Sequence, residues 1–187
     1  MQAAKIVYAI LGFVILLPWI VYNVKKKLSK TRVLIMILVS VLIAASVYAH
    51  YQFTIGYQIP LAAERAGKVF LQRIEGQMDL SAYQKEMQKQ KLSPDQGIQT
   101  VSDEELKAAG FNPGRADVLL SERVYPAEDD SMIVYVLYDD GRVPLYSSIT
   151  LKQSGYRWQV VSHALLTQNE FEELNEELKI KFYSTGS

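Results

Sequence analysis

Cysteine is absent from all 187 residues, which excludes a disulfide framework, a thiolate metal site, an iron–sulfur cluster and a cysteine nucleophile. Histidine is nearly as scarce. His50 and His163 lie far apart in the chain, whereas a zinc centre needs three or four converging ligands, so no metal is expected. The glycines form neither G-x-G-x-x-G nor a Walker loop, and no G-x-S-x-G elbow occurs; no nucleotide or other cofactor and no catalytic residue set emerge from these patterns. Net charge is also missing, with 20 Lys and Arg against 20 Asp and Glu, but its distribution is uneven. Residues 1–49 hold no acid and six cations, namely Lys5, Lys25, Lys26, Lys27, Lys30 and Arg32. Residues 50–187 hold the other 14 cations and all 20 acids, a net of −6. Nucleic acid is therefore not an expected partner, because its binders carry a basic patch on the folded domain.

What the first quarter of the chain does hold is apolar sequence. Residues 6–22 (IVYAILGFVILLPWIVY) and 33–49 (VLIMILVSVLIAASVYA) each run 17 positions without a charge. At ~1.5 Å per residue each reaches about 25 Å, enough with apolar neighbours to cross a bilayer core. Neither has a polar face, and a helix apolar all round requires lipid or a very large core. The connection 23–32 (NVKKKLSKTR) carries five cations, and short Lys/Arg-rich loops stay in the cytoplasm. The expected layout is a two-span membrane anchor over residues 1–50 with a cytoplasmic loop at 23–32. The N-terminus and a domain of residues 51–187 then lie outside. Trp19 and Tyr22 fall at the inner interface of this layout, and Tyr8, Tyr48, Tyr51 and Phe53 at the outer one, where amphipathic rings prefer to sit. Pro18 kinks the first span. A second reading stays open: KKKLSKTR, an apolar run and Val47-Tyr48-Ala49 also match a signal peptide cleaved after Ala49.

Beyond the anchor, 138 residues suffice for one hydrophobic core. Gln52–Pro60 reads as a neutral exit segment. A helix follows Pro60 with Leu61, Ala62, Ala66, Val69, Phe70 and Ile74 at helical spacing, closed by Gly76. A second helix is expected over 81–91, opened by a Ser81/Gln84 capping box, and a third from Ser102 to Gly110. The period then changes from helical to alternating. Four strands are predicted at 116–125, 132–138, 143–152 and 156–165, with hairpin turns at Asp140-Gly141 and Ser154-Gly155. Thr167 and Glu170 form a capping box for a last helix whose Phe171, Leu174 and Leu178 share a face. Residues 180–183 remain open between a short strand and a packed tail. The fold class is α+β, with helices packed on a four-stranded antiparallel sheet.

Two acid pairs, Asp129-Asp130 and Asp139-Asp140, lack the alternating oxygen ligands of a calcium loop and read as turn residues. The five glutamates between Glu170 and Glu177 read as a solvated helix face. Tyr135 and Tyr146 in the predicted sheet, together with Trp158, are the residues expected to form a ligand or partner surface, since a concave aromatic sheet suits either.

The order of elements over 61–165 and the close Gly155-Tyr156-Arg157-Trp158-Gln159-Val160-Val161 resemble NTF2-like (cystatin-like) domains on membrane-anchored envelope proteins of Gram-positive bacteria. Two spans and an additional C-terminal helix depart from the commonest layout of that family. The resemblance implies a conical sheet and a non-enzymatic accessory role in envelope assembly, with an envelope protein or a second copy of the chain as partner. It also admits a small-molecule or lipid-binding sensor that uses the cone. Some relatives use an acid with a tyrosine for proton transfer; here Asp117 and Glu122 are the acids in predicted strands.

Overall fold

The computed structural model describes residues 29–93, 111–155 and 157–184, together with Leu17 and Val21. The chain divides into two compact units, Met1–Thr54 and Ile55–Ser187.

In the first unit, helix α1 (Lys30–Phe53) starts on Ser29, whose side chain accepts from the Arg32 amide. Its large apolar side chains, including Leu34, Leu38, Leu42 and Ile43, are exposed. The helical run beginning at Lys30 is, among the described residues, the one long and apolar enough to cross a membrane. The 24 residues of α1 extend about 36 Å, more than the ~30 Å of hydrocarbon. Its two serine hydroxyls bond back within the helix: Ser40 Oγ donates to the Met36 carbonyl and Ser46 Oγ to that of Leu42. One long helix stands here where a two-helix hairpin was expected. The segment 6–22 lies outside the described residues except for Leu17 and Val21.

The exit segment is not an open stretch. Thr54–Gln58 take π-helical hydrogen bonding and α2 runs from Ile59 to Ile74. Pro60 lies in the first turn of α2, directly after the π-helical stretch. Gly76, at φ +84°, ends this helix as its sequence position suggests. Helix α3 covers Leu80–Lys89, and its cap is Asp79 rather than a Ser81/Gln84 box: Asp79 Oδ1 accepts from the Ala82 amide at 2.7 Å. A carboxylate two residues earlier satisfies an orphan amide of the first turn and also opposes the helix dipole. The helix expected at 102–110 lies outside the described residues.

The sheet has six strands, not four. They are β1 (Asp117–Ser121), β2 (Tyr125–Pro126), β3 (Ser131–Asp139), β4 (Pro144–Ser154), β5 (Arg157–Leu166) and β6 (Phe182–Ser184). The spatial order is β5-β4-β3-β1-β6, with β2 also paired to β3, and all pairings are antiparallel. The expected first strand is split because the chain bends at Glu122–Arg123 between β1 and β2. The sixth strand forms because the free edge of β1 takes up residues 182–184, with the Glu122 amide bonded to the Lys181 carbonyl. Asp129 and Asp130 both adopt positive φ, 54° and 58°, in the connection to β3, as a tight primed turn demands.

Two apolar clusters lie on opposite faces of the sheet. The larger joins α2 and α3 to Val118, Leu120, Val134, Val136, Ile149, Leu151 and Val160. The smaller packs helix α4 (Gln168–Leu178) on the other face, through Phe171 against Tyr135 and Ile180. The Thr167/Glu170 capping box opens α4 as predicted.

Candidate functional site

Helix α2 lies close against the sheet because its inward positions are small: Ala62, Ala63, Ala66 and Gly67 are all buried. A Cβ on Gly67 would stand 3.0 Å from Val118 Cγ1 and 3.4 Å from Tyr138 Oη. This close approach seals a polar cluster around His163. Tyr138 Oη is 3.0 Å from His163 Nε2, Ser147 Oγ is 3.3 Å from the same nitrogen, and Tyr83 Oη is 3.4 Å from Nδ1. The neutral ring carries one proton, so it donates through one nitrogen and accepts through the other. Phe70 covers the imidazole with ring centroids 4.4 Å apart, and the Arg73 guanidinium lies 5.6 Å from the Tyr83 ring centre. Burial, and secondarily the Arg73 charge, push the His163 pKa down to about 3. Burial raises the Tyr83 and Tyr138 phenols, so all three groups stay neutral at ordinary pH. With Tyr83, Tyr138 and His163 each at most 1% exposed, the cluster is closed to a substrate.

The three residues singled out from sequence do not converge. Tyr135 and Tyr146 belong to the face under α4. Tyr146 stacks on Phe171 at 3.9 Å between centroids and 4° between planes, and Tyr135 meets Tyr125 edge-on at 5.2 Å. Trp158 packs against the opposite cluster with Val160. A β-bulge causes the separation. Thr150 pairs with Ser162 and Leu151 with Val160, which leaves Val161 as the extra residue and shifts the side-chain parity of β5. His163 and Leu165 after the bulge thus share a face with Trp158 and Val160 before it, against strict alternation.

The remaining sequence candidates also find places. Asp117 and Glu122 are exposed. Asp140 closes a turn: Oδ1 accepts from the Arg142 and Val143 amides, and Oδ2 from that of Asn112. Those amide bonds lower its pKa. Among the described residues, no group of three or more His, Asp or Glu is placed to hold a metal ion.

One feature without a signal in the sequence is a cleft of about 360 Å³ beside α2. Its floor is apolar, from Leu61, Ala62, Leu92 and Trp158, and its rim is cationic, from Arg65, Lys91 and Arg157, with Gln58 and Gln90 as neutral donors. The Val160 amide donates to the Leu92 carbonyl, which ties the end of α3 to β5 and so brings Lys91 beside Arg157. Lys91 holds positive φ at 58°, the left-handed residue just past α3. No family model, curated protein or solved structure matches the chain.

Proposed function

We propose that the protein is a membrane-anchored accessory protein of a bacterial envelope, with its α+β domain held outside the membrane as a binding module rather than an enzyme. In this reading the first apolar segment is a second span and the basic loop 23–32 is cytoplasmic. The domain has the NTF2-like plan, and its partner is an envelope protein or a second copy of the chain. The observation that carries the reading is α1 itself: a 24-residue helix with its apolar side chains exposed, next to a loop with five cations and followed by an acidic domain. The closed His163 cluster speaks for a module that acts through its surface, and against a sensor that uses an interior cone.

The test is protease digestion of intact protoplasts carrying the full chain with a C-terminal tag, with lysed protoplasts as control. Loss of the tag in intact protoplasts is expected. Survival there with loss after lysis would place the domain in the cytoplasm and end the envelope reading. Cross-linking in cells should then recover a defined partner or a homo-oligomer, and recovery of neither would refute the accessory role.

A further inference from the structure

We infer that the cleft between α2, the end of α3 and the start of β5 binds the phosphodiester group of an anionic membrane lipid. The charge balance comes first. The portion of the chain from residue 50 onward is acidic, with 20 acids to 14 cations, yet among the described residues the cleft is lined by Arg65, Lys91 and Arg157 and by no acid. Among the described residues none of the three cations has an ion-pair partner, whereas Lys68 and Lys89 on the neighbouring surfaces pair with Glu64 and Glu86. Two guanidinium forks offer paired N–H donors to phosphate oxygens, and an ammonium adds a third charge.

The floor distinguishes a lipid from a bare anion. Leu61, Ala62, Leu92 and the half-buried Trp158 would pack on a glycerol backbone and the first carbons of a chain, for which inorganic phosphate has no counterpart. The volume, about 360 Å³, falls in the range of small-ligand sites.

Covalent geometry adds the location, and here the inference rests on α1 spanning the membrane. Gln58 at the cleft is five residues beyond Phe53, the last residue of α1. Five residues reach at most ~17 Å even when extended. Since α1 is longer than the hydrocarbon core is thick, its end lies at the headgroup layer. Anionic headgroups attract basic surface groups at this depth. Lys91 supplies an independent hint, because a lysine occupies a left-handed position that glycine would fill with less strain.

The test uses the full chain in neutral maltoside detergent with Trp19→Phe, so that Trp158 is the remaining tryptophan. Its fluorescence is followed on titration with dihexanoyl phosphatidylglycerol, dihexanoyl phosphatidylcholine, glycerol phosphate and inorganic phosphate. The expected result is a saturable change with phosphatidylglycerol, at least tenfold weaker with phosphatidylcholine and with both soluble phosphates. An Arg65→Gln/Arg157→Gln double variant should bind phosphatidylglycerol at least tenfold more weakly while melting at the wild-type temperature, both side chains being exposed. Soluble phosphates binding as tightly as phosphatidylglycerol would overturn the lipid assignment. A double variant that binds like the wild type, or no saturable signal at all, would overturn the site. Because the titration in detergent does not depend on topology, its failure is separate from a failure of the protoplast digestion.

Discussion

His163 shows how one residue couples the core to pH. Its pKa is pushed down to about 3 in the folded chain, against about 6.5 when unfolded. The stability contributed by the neutral buried ring is therefore fully present above pH ~6.5 and is lost as pH falls toward 3. Arg73 from α2, Tyr83 from α3, Tyr138 from β3 and Ser147 from β4 surround it, and none offers a negative charge to hold an imidazolium. A His163→Gln variant should be less stable at pH 7, by about 1–3 kcal/mol for the disturbed hydrogen bonds. It should also lose less melting temperature than the wild type between pH 7 and pH 4. Parallel slopes in calorimetric melts across that range would contradict the assignment. At Lys91 the reverse experiment applies: Lys91→Gly relieves a left-handed lysine and should raise stability by about 0.5–1 kcal/mol in denaturant melts. Gly67 admits no such freedom. Gly67→Leu would place carbon against Val118 and Tyr138 and should cost about 1–3 kcal/mol in the same melts through overpacking.

Among the elements, α4 depends on two features at different ranges. Its start is local. Thr167 and Glu170 cap one another, with the Thr167 amide donating to Glu170 Oε2 at 2.7 Å, and this spacing was legible in the sequence. Its seat is not local, because Phe171 stacks on Tyr146 of β4. Thr167→Ala should cost about 1 kcal/mol and Phe171→Ala about 3 kcal/mol, measured by denaturant unfolding. Equal small losses would mean that the lower face of the sheet does not carry the helix. The strands β3 to β5 were legible because their alternation and their glycine turns are short-range signals. The split of β1 from β2 and the pairing of β6 were not. Both depend on what lies beside residues 117–121 in space, and a three-residue strand such as Phe182–Ser184 has no period to detect. The same holds for the α3 cap, where two competent cap residues stand two positions apart and only the folded backbone selects Asp79.

At the scale of the whole molecule, the apolar character of residues 33–49, the acid-free first quarter and the α+β order are properties of composition and period. They follow from transfer free energy and hydrogen-bond geometry acting over a few turns, and they are legible in the sequence. The candidate surface was not. Tyr135, Tyr146 and Trp158 look alike on a list of strand aromatics, but the bulge at Val161 turns Trp158 to the helix side while α4 covers the two tyrosines. The cationic cleft arises only because α2, α3 and β5 bring Arg65, Lys91 and Arg157 together from positions up to 92 residues apart in the chain. By itself the sequence determined the membrane-type helix, the class of fold and most of the turns, since each is decided by neighbours within about ten residues. Tertiary structure alone decided which face each aromatic serves, that the interior around His163 is closed, and where positive charge collects in a cleft. Those outcomes depend on register and on close packing between distant segments, and neither leaves a periodic trace in the chain.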